Sequence, residues 1–295
     1  MLTTHILIPT HQRPQLMKRL LTSLQDCKSE LSEVTIHIIE NGSFVSKDIC
    51  ADFSELPLSY HHYEEGNKSK ALNAVIDKLP VDSFLVFFDD DIKVQSGVVS
   101  DFIEAGKKNG KQCFYGGPLR ADYVQDPDRG FIPYLPFSAK DFDLSTGDKY
   151  RKFDQFQDFL GANWACFLQD LTNVGGFSGK FGPGSPTGAR GQETDAMLRM
   201  YQNGCTPVFI TGAWVDHHVP EFMVQREWIV DRIFHASMHR GRMRPNMAHT
   251  LVMLTKLIFS SLLLPLSPNS IGHQYRINKA AGYFYGMVKR FVADR

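Results

Sequence analysis

The sequence predicts an α/β fold built on a mostly parallel sheet flanked by helices. Three features of its first ninety residues carry that expectation: apolar runs of strand length, helical stripes between them, and polar clusters closing the runs. His5–Pro9 is a short apolar run stopped by proline, as a buried strand would be. Pro14–Gln25 then sets Leu16, Met17, Leu20, Leu21 and Leu24 on one helical stripe. Val34–Ile39 reads as the second strand, closed by the turn residues Glu40-Asn41-Gly42-Ser43, and Leu58–His62 as a third. Asn67–Lys78 predicts a helix with Ala71, Leu72, Val75 and Leu79 inward, and Ser83–Phe88 is a near-continuous apolar strand. Farther on, Glu193–Asn203 has a helical pattern that Gly204 stops, and Thr206–Ile210 reads as a strand. No internal repeat or low-complexity segment breaks this order.

Ligands of such sheets sit beyond the carboxyl ends of the strands. Three polar clusters fall there: Thr10–Arg13, Glu40–Ser43 and Asp89-Asp90-Asp91. Adjacent carboxylates about 4 Å apart repel by roughly 1 kcal/mol in water and about 4 kcal/mol at an effective dielectric of 20. A divalent cation at the strand end would offset that repulsion, and Mg²⁺ or Mn²⁺ suits carboxylate oxygens. The competing reading is an acidic turn that caps a helix starting near Ser96. Glu193 and Asp195 stand in a first helical turn, where the helix dipole alone would favour carboxylates. Asp216-His217-His218 follows a strand, so it reads either as polar residues facing solvent or as a histidine completing a metal shell begun by Asp91. There is no Walker phosphate loop and no G-x-G-x-x-G after the first strand. The glycines of Phe181–Gly191 come late, among prolines, and read as a flexible loop or lid.

Composition separates two regions. Equal numbers of basic and acidic residues, 32 each, conceal 11 Lys/Arg against 3 Asp/Glu from Met223 to Arg295. The expected organisation is therefore an acidic α/β domain over 1–222 and a basic helical region over 223–295. Leu251–Leu266 is apolar apart from Lys256 and is closed by Pro265, with Arg240, Arg242 and Arg244 before it and Arg276, Lys279, Lys289 and Arg290 after. A span needs about 20 apolar residues, so attachment to an anionic membrane surface is the favoured reading. A core helix, an oligomer contact and a true span are its alternatives. Nucleic acid is not an expected partner, because no binding motif accompanies the basic stretch. Five scattered cysteines without C-x-x-C, and an N-terminus lacking signal-peptide character, point to reduced thiols and a cytoplasmic location.

Seven motifs in order, ILIPTHQRP, IIENGS, GNKSKALN, FFDDD, GANWACFLQDLTNVGGF, FGPGSPTGARGQETDAMLRMYQNG and WVDHHVP, resemble family 2 glycosyltransferases with the GT-A fold. The resemblance runs from about Thr4 to Pro220. It implies transfer of a sugar from a nucleotide-sugar, with a UDP-sugar favoured, to a saccharide or lipid-linked acceptor, with inversion and with Mn²⁺ or Mg²⁺. Polysaccharide-building relatives commonly work at the cytoplasmic face of the inner membrane. Carried over by motif, Pro9, Thr10 and Arg13 meet the nucleotide, and Glu40 and Asn41 meet base and ribose. Lys70, Asn73, Asp89 and Asp90 border the donor, while Asn163 and Trp164 lie beside its sugar. Asp89 and Asp91 match the D-x-D, with Asp91 the more direct metal ligand, and His217 completes metal or diphosphate binding. Glu193 falls on the general base, with Asp195 as the alternative. Three positions depart from the family's pattern: Glu40 stands for the usual Asp, Lys70 for Arg, and Gln192-Glu193 for Glu-Asp. A metal-dependent nucleotidyltransferase or phosphohydrolase would use the same acids, and a sugar-binding protein would use none of them.

Overall fold

The computed structural model describes residues 2–186, 191–243 and 246–293. The chain forms two compact units, one of Met1–Asp122 and Asp141–His218, the other of Tyr123–Lys140 and Val219–Arg295. The excursion 123–140 thus joins the C-terminal unit, whereas a linear split at 222 leaves it in the first. Arg244 and residues 187–190 of the glycine-rich loop lie outside the described residues.

In the first unit the chain runs β1 (Thr4–Thr10), α1 (Pro14–Asp26), β2 (Val34–Asn41), α2 (Lys47–Ala51), β3 (Leu58–Tyr63), α3 (Lys68–Ile76), β4 (Phe84–Phe88), β5 (Ile92–Val94), α4 (Val98–Asn109), β6 (Cys113–Gly116) and β7 (Leu119–Tyr123). It resumes with β8 (Tyr150–Lys152), β9 (Asn163–Phe167), α5 (Leu168–Thr172), α6 (Gln192–Gln202), β10 (Thr206–Ile210) and β11 (Val215–Val219). The large sheet has the order β3-β2-β1-β4-β9-β6-β10-β8, and β5-β11-β7 forms a small second sheet. β1, β2, β3 and β4 pair in parallel, as the alternating pattern predicts. The other half is mixed, because β9 inserts antiparallel between β4 and β6 and β8 pairs antiparallel with β10.

Burial explains the strands. Every residue of β1, β4 and β9 is buried, so these runs read as continuously apolar instead of alternating. Burying each large apolar side chain contributes about 1.5–3 kcal/mol, and one contiguous core takes in both faces of the sheet. The five cysteines are buried thiols without a disulfide among them.

One buried polar row crosses this core. His5 on β1, His37 on β2 and His61 on β3 are linked, His5 Nδ1 to His37 Nε2 at 2.9 Å and His37 Nδ1 to His61 Nε2 at 3.0 Å. Burial, then the neighbouring His5 and His61, pushes the central ring from 6.5 down to about 4. The unfolded chain therefore binds a proton near pH 6.5 that folded His37 refuses until about 4, so stability falls as pH drops through that window. The expected loss is about 2 kcal/mol between pH 7.5 and 5. Thermal unfolding at the two pH values should show it, and His37→Gln should flatten the dependence; an unchanged slope in the variant would refute the assignment.

The second unit holds α7 (Arg226–Met243), α8 (Met247–Leu263) and α9 (Ile271–Ala293). α7 and α9 approach backbone to backbone: a Cβ at Gly282 would meet the Phe234 carbonyl oxygen at 2.1 Å, and one at Gly286 the Met238 oxygen at 1.9 Å. The excursion binds here through Tyr134 against Tyr275, ring centroids 5.1 Å apart, and Arg226 over Phe131 at 5.4 Å.

Candidate active site

Parallel register aligns the strand ends. Thr10 of β1 lies opposite Glu40 of β2, and Thr4–Leu7 pair with Phe84–Phe87 of β4, so the three aspartates emerge beside the Thr10–Arg13 loop. Thr10 Oγ1 donates to Asp90 Oδ2 at 2.7 Å, and Arg13 Nη1 reaches Asp90 Oδ1 and Asp91 Oδ2, each at 3.1 Å. Asn41 Nδ2 donates to the Thr10 carbonyl at 3.0 Å and ties the two strand ends together. The aspartates do not cap the next helix. β5 separates them from α4, whose first turn is capped by Glu30, accepting from Gly97 N at 2.7 Å and Ser100 N at 3.1 Å.

β11 brings the histidine. His217 pairs with Ile92 of β5, and His218 N donates to the Asp91 carbonyl at 2.8 Å. His217 Nε2 then lies 3.3 Å from Asp91 Oδ1, and neither Asp91 Oδ1 nor His217 Nδ1 has a hydrogen-bond partner although both are buried. Two ligands on a cation with bonds of about 2.1 Å at right angles stand roughly 3 Å apart, so this pair fits one edge of a coordination shell. No group of three metal-binding side chains converges among the described residues.

Asp89 faces elsewhere. Lys68 Nζ bridges Asp89 Oδ1 at 2.7 Å and Glu193 Oε1 at 2.8 Å, joining the D-x-D to the first turn of α6. Gln192 Nε2 also donates to Glu193 Oε1 at 3.0 Å, while Gln192 Oε1 accepts from Ser69 at 2.9 Å. Gly161 makes room, since a Cβ there would lie 2.7 Å from Glu193 Cδ. Pro9, Lys68, Phe87, Asp89, Trp164 and Glu193 line the cleft that results. Asp195 is committed elsewhere, to Arg199 Nε at 3.0 Å and Nη2 at 2.8 Å.

Electrostatics separates the carboxylates. Burial raises Asp90 to about 6, reinforced by Asp91 and opposed by Arg13. Burial also raises Asp89, outweighing Lys68. Asp91 falls to about 2, because the His217 contact, Arg13 and Lys68 overcome its burial. His217 rises against its own burial, held by Asp91. Glu193 lies below its ordinary value, since Lys68 overcomes burial. The lysine thus keeps this candidate base ionised despite its burial. Lys68 in turn is raised despite burial by Asp89 and Glu193.

Other expected site residues serve structure in this state. Glu40 is fully buried, accepting from Val45 N, Ser46 N, Ser46 Oγ and Tyr60 OH, so it folds its own turn. Lys70 is exposed and paired with Glu65 at 2.6 Å. Asn73 exchanges two hydrogen bonds with the Phe177 backbone, at 2.8 and 3.0 Å. Asn163 Nδ2 holds the Pro118 and Ala213 carbonyls at 3.0 and 2.8 Å. Trp164 stacks on Phe87, centroids 4.4 Å apart, with its Nε1 buried and unpartnered. The described part of the glycine-rich loop is anchored, Phe181 O accepting from Ser69 Oγ at 3.0 Å and Pro183 O from Lys68 N at 3.2 Å.

Sequence reasoning missed Lys68. Its signal was available: it is the first residue of α3, where the helix dipole disfavours a cation and a carboxylate partner must compensate.

Comparison with known proteins gives a consistent picture. The family model described as Glycosyl transferase family 2 matches residues 5–169. No curated protein matches the chain by sequence. Among solved structures, the mannosyltransferase PcManGT from Pyrobaculum calidifontis, complexed with GDP-Man and Mn²⁺, aligns with a TM-score of 0.58 and 13% identity, over 99% of this chain and 88% of that one. TarS of S. aureus aligns at 0.55 and 12%, over 98% of this chain, which spans only 55% of the TarS chain. GalNAc-T7 with UDP, GalNAc and Mn²⁺ aligns at 0.55 and 11%, over 84% of this chain and 53% of that one. At these identities the likeness speaks to the fold, which is GT-A.

Proposed function

The chain belongs to glycosyltransferase family 2, and from that premise we propose that its cleft moves a sugar from a nucleotide-sugar to an acceptor hydroxyl by a single inverting displacement. The Lys68 bridge between Asp89 and Glu193 carries this reading, because it sets a carboxylate of the donor end and a candidate base in one cleft. In glycosyl transfer an oxocarbenium-like centre develops while charge grows on the departing diphosphate. Thr10, Arg13, Asp89 and Asp90 border the nucleotide, Trp164 the donor sugar, and Glu193 takes the acceptor proton. Asp91 and His217 would hold a divalent cation. Bound there, Mn²⁺ or Mg²⁺ would neutralise diphosphate charge as a Lewis acid. The depressed pKa of Glu193 keeps it ionised and ready to accept a proton at neutral pH.

We assign a UDP-sugar as the first donor to test and a saccharide or lipid-linked hydroxyl as acceptor. A panel of nucleotide-sugars, read by released nucleoside diphosphate with and without Mn²⁺ and with an acceptor panel, tests the reading. One donor should respond to both metal and acceptor. Turnover of nucleoside triphosphates instead, with no sugar transferred, would favour the nucleotidyltransferase or phosphohydrolase chemistry.

A further inference from the structure

The outward half of α8 carries no charge. Leu251, Leu254, Ile258 and Leu262 recur at helical spacing and are 57%, 43%, 53% and 70% exposed, and Phe259 beside them is 63% exposed. The opposite side packs inward, with Met253 and Ser260 buried and Met253 clustered with Ala280 and Tyr283 of α9. An apolar strip of this length needs a cover.

Charge decides which. From Arg232 to Ala293 the sequence contains nine Lys/Arg and no carboxylate. Lys279 is lowered by burial and then by the closeness of Lys256 and Arg240, and His249 responds to burial and to the same cations with Lys279. These groups therefore crowd together beside α8. A second copy of the chain would set this positive region against itself, whereas anionic lipid headgroups neutralise it. We propose that the outward face of α8 docks on a bilayer containing anionic lipid, the helix lying in the interface with Leu251, Leu254, Ile258 and Leu262 immersed.

Orientation follows from Lys256. The stretch Met247–Leu266 has the length and mean hydropathy, 1.7, of a spanning helix. A span would carry Lys256 near the bilayer centre, where an ammonium is expensive, and would strip α8 of the neighbour its inner side packs against. Lying flat keeps the ammonium at headgroup level. This inference does not depend on the assignment of Glu193 or of the donor.

The test is co-sedimentation of the full chain with vesicles of phosphatidylcholine alone or with about 30% phosphatidylglycerol. Capture by the anionic vesicles should be at least about tenfold greater, and high salt should release only part of it. The triple variant Leu254→Gln, Ile258→Gln, Leu262→Gln should lower partitioning on the order of 100-fold, and Lys256→Gln with Lys279→Gln about tenfold. Circular dichroism should match wild type in both. If the triple variant fails to fold, Leu262→Gln alone, at the most exposed of the four positions, must still weaken binding. The proposal fails if folded wild type stays in the supernatant with both vesicles, or if the folded variants sediment as wild type does. It also fails if wild type is a dimer that the triple variant dissociates and neither binds vesicles, which would assign the face to a second copy.

Discussion

Glu193→Gln is expected to lower sugar transfer by a factor on the order of 10²–10⁴, the usual worth of general-base catalysis, while donor affinity stays near wild type. Gln keeps the volume and still accepts from Lys68 and Gln192, whose contacts hold the side chain at 2.8 and 3.0 Å. What it loses is the ability to take the acceptor proton. Asp195→Asn is the control: its carboxylate is bound to Arg199, so transfer should survive with some loss of stability. The reverse pattern, with Asp195 essential and Glu193 dispensable, would transfer the base assignment to Asp195. Because Lys68 depresses Glu193, the acid limb of kcat/KM should lie below the ordinary glutamate range, the base staying ionised as pH falls. Removing the ammonium with Lys68→Met takes away that stabilisation, so the limb should move to higher pH. An unmoved limb would show that another group titrates.

The parts of this molecule legible in the sequence are those set by local pattern. β1, β2 and β4 announce themselves because each is an apolar run closed by proline, by turn residues or by the aspartates, and parallel pairing follows from the helices between the strands. β9 was illegible. Asn163–Phe167 is short and wholly buried, and nothing local says that it runs antiparallel between β4 and β6. The same limit governs the site. The aspartates, Glu193 and His217 are conspicuous as residue types at strand and helix ends, yet their partners depend on packing. Lys68 and Lys70 are two positions apart on one helix, hence on nearly opposite sides, and only the tertiary fold selects Lys68. Glu40 shows the converse. Its place in a motif was readable, but the 45–46 turn and Tyr60 occupy its oxygens through contacts that no spacing rule contains.

Asp91→Asn should reduce transfer by about 10³-fold and abolish its dependence on added Mn²⁺, since Lewis-acid stabilisation of a departing diphosphate is worth several kcal/mol. The geometry isolates this residue from its neighbours. Asp90 is engaged by Thr10 and Arg13, and Asp89 by Lys68, whereas Asp91 alone meets His217 and keeps a buried oxygen without a hydrogen-bond partner. Its pKa of about 2 means that the carboxylate is charged throughout the working pH range. Asn is nearly isosteric and can still receive Arg13 through its carbonyl, so the loss reports charge, not shape. His217→Ala should weaken metal-dependent donor binding and leave metal-free binding unchanged, which calorimetric titration of donor with and without Mn²⁺ can separate. Arg13 supplies the internal comparison. Freed from Asp90 and Asp91 it can turn to a phosphate, so Arg13→Gln should weaken donor binding whether or not metal is present. Full transfer by Asp91→Asn in the presence of a chelator would remove the cation from this centre and leave charge neutralisation to Arg13 and Lys68.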